Sequence, residues 1–353
     1  MNDPEPPASQ PPKLKVGIIG CGSHGQGHIK GYSEIPQAAV VAVSDLAPEK
    51  TREASLAYDV GHHYTDYREM LDRHELDIVS LALPPAANLD ATVASLEAGA
   101  HVLISKPLAM NVGQAKQMIE ASERCGKRLS MGLQNRFSPE ARALRRFLSE
   151  GKLRHVYHTR IWHGHQMHIP PTPTMYRREL AGGGVVFHTT VHLLDVILWV
   201  LGNPRPVRVS ASSYQKLGKM KTPRVSWGGT AEDCDIEDFN VGLVHFEDGS
   251  TMTIESNWMM HPRLRPSGAE LLGDWGVASL RPLKIELEEG NDIVDVTPDT
   301  DDDRPGSVYE DFCNSILEDR PPTVRPNEML DVQRILDALY EAADTAKEIQ
   351  IRD

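Results

Sequence analysis

A short apolar strand that runs into three spaced glycines and then a helix leaves a chain few folds to choose from. Here Lys15–Ile19 leads directly into Gly20-Cys21-Gly22-Ser23-His24-Gly25, and a helix can begin around Gln26 to His28. Each glycine has its own task in such a turn. Gly20 permits the tight bend, Gly22 lets the backbone approach a pyrophosphate, and Gly25 lets helix and strand pack closely. The helix N-terminus, with Ser23 and His24 on its first turn, faces the anionic phosphates. Asp45 closes the next strand, about 20 residues on, where a carboxylate can accept hydrogen bonds from both ribose hydroxyls. That charge would repel a 2′-phosphate, and Leu46 and Ala47 bring no cation to offset it, so the pattern favours NAD over NADP. Leu83-Pro84-Pro85, after a later strand, borders the cofactor by its position in such a sheet.

The segments around this turn fit the same picture. Between Lys13 and about Ser130, the β-branched runs Lys15–Ile19, Ala39–Val43, Ile78–Leu83 and His101–Ile104 alternate with helical spacing at Tyr67–Asp72 and Leu89–Glu97. Gly99 stops the second of these helices. Such alternation predicts a doubly wound α/β domain with a parallel sheet covered on both faces, over residues 13–130. From Gly132 the character changes. A helix at Pro139–Ser149 is followed by strand-like segments at Val156–Trp162, Val207–Ser212, Asn240–Phe246 and Ser250–Ser256. Glu247-Asp248-Gly249 reads as a hairpin turn between the last two. A second domain over 131–353, carrying an antiparallel sheet, is therefore expected. Within it Thr189–Leu201 has helical spacing and ends at Gly202, and Asn327–Lys347 forms an amphipathic C-terminal helix placed to pack back on the first domain.

Composition narrows the function classes. A chain of 353 residues, 40% hydrophobic and 25% charged, is long enough for two cored domains. A net charge of −13 gives no basic footprint for nucleic acid. The longest apolar run, Val191–Leu201, is interrupted by His192 and Asp195 and falls short of the roughly 18–20 residues of a membrane helix. Residues 1–12 are rich in proline and polar side chains, as a disordered tail is, and lack the pattern of an export signal. Cys21, Cys125, Cys234 and Cys313 are scattered with no CxxC pair, which suits reduced thiols and no structural zinc. A cytoplasmic protein is the expectation. The acidic stretch Asp299–Asp303 reads as a solvated loop.

Chemistry enters with Ser105-Lys106-Pro107-Leu108. Lys106 stands at the carboxyl end of a strand, where doubly wound sheets place their ligands, and Pro107 biases its backbone to an extended form. Partial burial and the positive charge of an oxidised nicotinamide would lower its pKa and let it exchange protons with a hydroxyl.

Taken with Tyr64-Thr65-Asp66-Tyr67, His101 to Leu108, Gly132 to Pro139, Gly182 to Asp195 and Phe246 to Gly249, in that order and spacing, the chain resembles the glucose-fructose oxidoreductase and inositol dehydrogenase family, Gfo/Idh/MocA. The resemblance implies an N-terminal Rossmann domain and a C-terminal α/β domain. The open, mostly antiparallel sheet of the latter would serve a homodimer or homotetramer. It also implies NAD and a sugar or polyol substrate. Family members carry Glu-Lys-Pro and, downstream, an Asp and His one helical turn apart. Lys106, Pro107 and His192 match, while Ser105 replaces the Glu and His188 the Asp. Without that carboxylate Lys106 should deprotonate more easily.

His188, His192 and Asp195, at i, i+4 and i+7, are expected on one helical face. His192 reads first as general acid or base, with Lys106 sharing the proton or stabilising the oxyanion, and His188 as a substrate contact. Asp195 either orients His192 or is a buried structural acid. By resemblance, Gln134 and Asn135 approach the nicotinamide or substrate. Trp162, His163, His165 and His168, with Tyr176 and Arg177, are candidates to line a sugar pocket, stacking and hydrogen bonding.

The leading expectation is an NAD-dependent dehydrogenase of a secondary alcohol on a sugar, cyclitol or sugar derivative. A redox-neutral epimerase, lyase or hydrolase working through a transient keto-sugar uses the same parts. A zinc site on His188 and His192, completed by His163, His165, His168 or Asp195, and a non-catalytic NAD-binding regulator are further readings.

Overall fold

The computed structural model describes residues 13–164, 172–216, 234–258, 267–300 and 303–352. The tail at 1–12, His165, His168 and part of the acidic loop lie outside the described residues.

The first half alternates strand and helix without exception: β1 (Leu14–Ile19), α1 (Ser23–Ser33), β2 (Ala38–Ser44), α2 (Pro48–Tyr58), β3 (His62–Tyr64), α3 (Tyr67–Arg73), β4 (Ile78–Leu81), α4 (Pro85–Glu97), β5 (His101–Ile104), α5 (Val112–Cys125) and β6 (Leu129–Met131). The six strands lie in the order β3-β2-β1-β4-β5-β6, and every pair is parallel. The order reverses between β1 and β4, and that crevice is where a doubly wound sheet takes its ligand. Val16, Ile18, Ile78, Val79 and Leu81 are buried because helices cover both faces of the sheet.

The second half contains α6 (Pro139–Ser149), β7 (Val156–Gly164), α7 (Pro173–Tyr176), α8 (Arg178–Ala181), α9 (Val191–Val200), β8 (Pro206–Tyr214), β9 (Phe239–Phe246), β10 (Thr251–Asn257), β11 (Gly268–Gly273), β12 (Gly276–Leu280), β13 (Lys284–Glu289), β14 (Asp292–Asp295), α10 (Val308–Leu317), α11 (Pro326–Thr345) and β15 (Ile349–Gln350). Its strands form one sheet in the order β14-β13-β12-β11-β7-β10-β9-β8-β15. Among the described residues only β7 and β10 run parallel; the other pairs are antiparallel. Burial alternates along β9 and β10 because one face packs on helices and the other stays open.

The chain crosses back at its end. Val308, Tyr309, Phe312, Cys313, Val324 and Met329 join the core of the first domain, while α11 from Val332 to Tyr340 joins the second. The segment that returns to the Rossmann half is thus α10 and the start of α11, beyond the single helix expected from the sequence. The stretch Arg178–Val200 is long and apolar enough to span a membrane by composition, yet 83% of its apolar window lies buried inside the fold. Its second part, α9, is buried along its length in the second core.

Candidate active site

The glycine turn has the geometry its sequence requires. Gly20 sits at φ +96°, and a Cβ on Gly25 would lie 1.8 Å from the carbonyl oxygen of Gly20. Only hydrogen fits there, so α1 starts flush against β1. Around Gly22 nothing approaches within 4 Å of where a Cβ would stand, leaving room above the turn. Helix α1 has no side-chain cap and no acid in its first turn. Its N–H groups beside Ser23 and His24 are therefore free to meet an anion. Asp45 follows β2 and braces the turn: Oδ2 accepts from the Cys21 N–H at 2.8 Å and Oδ1 from the Ala47 N–H at 3.0 Å. Each oxygen keeps a lone pair for a ribose hydroxyl. Leu83 and Pro84 follow β4 beside Gly20, and Pro84 caps α4. An open cradle, an uncapped helix and a braced carboxylate together fit a dinucleotide.

Lys106 leaves β5 one strand farther along, followed by Pro107 in a cis peptide. Its Nζ donates to the carbonyl oxygen of His188 at 2.5 Å, and burial lowers its pKa to about 8. The His24 imidazole, on the first turn of α1, has its pKa lowered by burial and by the charge of Lys106. The His24 ring at the phosphate end of the cradle and the lysine thus lie within electrostatic reach of each other.

The opposite wall is the helix that begins at Gly184. Residues Val186–Thr190 form a π-turn that continues into α9. His188 sits in this wider turn, so the even 3.6-residue phasing expected for His188, His192 and Asp195 does not hold. The His188 ring stacks on Trp258 at 6.1 Å and hydrogen-bonds the backbone of Met175. Its Nε2 is buried with no partner among the described residues. Burial and then the charge of Lys106 bring both His188 and His192 down to about 3. His192 also feels His163 and Arg281. Both imidazoles are neutral at physiological pH.

A buried carboxylate fixes the start of that helix. Glu237 accepts from the Gly184 N–H at 2.7 Å, the Val186 N–H at 3.1 Å and the Tyr340 hydroxyl at 2.8 Å. A Cβ on Gly184 would lie 1.9 Å from the Glu237 carbonyl oxygen, and one on Gly183 would lie 2.0 Å from the Tyr340 hydroxyl. The glycine run therefore exists to seat the helix on Glu237 and Tyr340. Neither residue was singled out in the sequence, because a lone Glu 50 residues away gives no local capping signal.

Several expected site residues have other work. Asp195 is fully buried, and Arg136 donates to both its oxygens, Nε at 2.9 Å and a terminal nitrogen at 2.5 Å. Both its oxygens are thus engaged by Arg136, and no bond from His192 reaches it among the described residues. Trp162 and His163 are successive on β7 and so point to opposite faces. His163 pairs with Ser256 on the helix-covered side and approaches His192, whereas Trp162 pairs with Glu255 on the open face, away from the cleft. Tyr176 is packed into the second core, and Arg177 pairs with Glu179 at 3.7 Å. Gln134 reaches Tyr309 at 3.5 Å, and Asn135 donates to the His192 carbonyl oxygen at 3.3 Å, buttressing α9. Arg281, unremarked in the sequence, adds a positive charge near His192.

A dinucleotide cradle joined to a lysine and histidine cleft defines a two-domain, nicotinamide-dependent oxidoreductase. The oxidoreductase family with an NAD-binding Rossmann fold matches residues 14–133, and the GFO/IDH/MocA C-terminal domain matches residues 141–279. The chain belongs to the Gfo/Idh/MocA family. It is 27% identical over 96% of its length to D-glucoside 3-dehydrogenase of Escherichia coli, covering 97% of that protein. It is 22% identical over 71% of its length to levoglucosan dehydrogenase of Pseudarthrobacter phenanthrenivorans, covering 69% of it. A solved levoglucosan dehydrogenase, in complex with NADH and levoglucosan, shares the fold at a TM-score of 0.83 and 20% identity, with 97% of this chain and 100% of that one covered.

Proposed function

We propose that this NAD-binding enzyme is a dehydrogenase of a ring secondary alcohol on a sugar, cyclitol or sugar derivative. The observation that carries the proposal is the convergence of Lys106 Nζ on the His188–His192 helix in the cleft shared with the glycine turn. The relatives named as glucoside and levoglucosan dehydrogenases support the substrate class. Bound NAD supplies the oxidant, accepting hydride from the substrate carbon. Lys106 takes the hydroxyl proton: at about 8 its pKa lies in the working range, whereas imidazoles held near 3 are weak bases. This moves the proton from His192, the first choice in the sequence, to Lys106. His188 Nε2 accepts a hydrogen bond from a substrate hydroxyl, His192 and His163 orient the ring, and Lys106 with Arg281 stabilises developing negative charge on oxygen.

The test is nicotinamide absorbance when the protein is mixed with NAD or NADP and a panel of cyclitols, aldoses, glycosides and sugar acids, with product analysis of the same tubes. Net NADH formation with an oxidised product is expected. An altered sugar without NADH would replace the proposal with the closed redox cycle.

The open face of the second sheet presents Trp162, Val241 and Val277, the last two about 40% exposed. We assign this face to a homodimer or homotetramer contact, which light scattering of the purified protein checks. Free cysteines throughout the described residues accord with a cytoplasmic protein.

A further inference from the structure

Away from the catalytic cleft, where α6 and the end of α9 meet the start of α10, lies a cavity of about 530 Å³. In a chain of net charge −13 its lining is rich in arginine: Arg136, which is bound to Asp195 and Glu328, Arg142, Arg145 and Arg146 from α6, and Arg320 from beyond α10. Arg320 is neutralised by Asp311 at 2.9 Å and Glu318 at 2.8 Å. The three arginines of α6 make no ion pair among the described residues. They stand at i, i+3 and i+4, close enough on one helix to repel. Arg145 is held in place, stacked 4.3 Å from the ring of Trp199 and donating to the Trp199 carbonyl oxygen. Burial presses its pKa downward, against the opposing charge of Glu328 and with that of Arg136 and Arg325. Arg142 donates to the carbonyl oxygen of Arg304 at 2.7 Å, which fixes its guanidinium at the rim. The N-terminus of α10 opens on the same space, its cap Ser307 among the lining residues.

Such a cluster is unfavourable while empty of negative charge and becomes favourable around an anion, since guanidinium groups meet phosphate oxygens two at a time. Glu310, the lining acid without an arginine partner, would repel a bare anion but accept a hydrogen bond from a hydroxyl. We propose that this cavity is a second ligand site, separate from the catalytic cleft, for a phosphorylated sugar or polyol. The phosphate lies among Arg142, Arg145 and Arg146, and a hydroxyl of the ligand donates to Glu310. Because α10 packs in the first core while α6 and Trp199 pack in the second, an occupant held by both would tie the two domains together.

Titration calorimetry on the full chain, saturated with NAD so that the cofactor's phosphate cradle is filled, tests this with glucose 6-phosphate and inorganic phosphate as probes. One glucose 6-phosphate per chain is expected to bind, in the wild type and in His192→Ala alike. The double variant Arg142→Gln/Arg146→Gln should weaken it at least ~10-fold. Both arginines are exposed, so thermal unfolding should be unchanged. Glu310→Gln should weaken glucose 6-phosphate and leave inorganic phosphate unaffected or tighter. Undiminished binding in the arginine variant, loss of binding in His192→Ala, or no binding of either probe would overturn the proposal.

Discussion

Lys106 is stabilised least in the form that most groups of its kind adopt. Its lowered pKa means that the folded protein binds a proton at this site less readily than the unfolded chain, whose value is about 10.5. The burial cost is fully present below about pH 8 and is relieved as pH rises from there to about 10.5. Two outcomes follow from this one side chain. Alcohol oxidation should rise with pH through an inflection near 8, and Lys106→Met should abolish that inflection with most of the rate, as a pH profile of kcat/KM will reveal. The same variant should be more stable by about 3 kcal/mol at pH 7, with the gain vanishing above pH about 10.5. Asp45 is a carboxylate held by two backbone N–H groups. Asp45→Ala should weaken NAD about 10-fold or more, by loss of the ribose bonds and the brace on Cys21, while relaxing the bias against NADP. Fluorescence titration with both cofactors measures it.

At the scale of elements, the decisive piece is the entry to α9. Removing the Glu237 side chain would strand the buried Val186 N–H and the Tyr340 hydroxyl proton, and leave the Gly184 N–H only its longer contact to the Tyr340 oxygen at 3.2 Å. Glu237→Ala should therefore destabilise the fold by about 3 kcal/mol or more and lower turnover by displacing His188 and His192. Glu237→Gln, which keeps one acceptor oxygen, should recover much of both; denaturant midpoints and kcat for the pair decide it. This element also marks how far the sequence could be read. The glycine turn, the parallel strands and the Glu247–Gly249 hairpin were legible because their signals are local: a φ above zero, a β-branched run, a tight turn. Helix α6 spans Pro139–Ser149 as its proline and apolar spacing foretold. The π-turn was not legible, because it comes from a carboxylate supplied by a distant segment, and an even helical phase was the natural expectation. Trp162 was misplaced for a related reason: adjacency in sequence on a strand means opposite faces in space. The short strands β13 and β14 went unread because Glu and Asp break their apolar alternation.

The whole molecule is held at its domain junction by Arg136. The residue stands on the 3-10 turn that follows β6, yet its guanidinium is spent on α9 and α11, binding Asp195 and Glu328 and donating to the Thr323 carbonyl oxygen. Asn203 adds a bond to Glu328 at 3.0 Å. Two carboxylates raise the pKa of Arg136, so it remains charged despite complete burial. The network joins the end of the cofactor sheet to the helix bearing His192, and this ties the distance across the catalytic cleft to domain packing. Arg136→Met would bury an unpaired Asp195, a change that typically costs about 3–5 kcal/mol. Adding Asp195→Leu to it removes the fully buried charge, leaves Glu328 with its Asn203 bond, and should restore much of that stability. Activity should not return with it, because α9 would lose its polar anchor to the first domain. Parallel denaturation and steady-state kinetics on the single and double variants separate the two effects. Equal recovery of stability and turnover would show that the ion pair serves packing alone, whereas stability without turnover would assign it the spacing of the cleft.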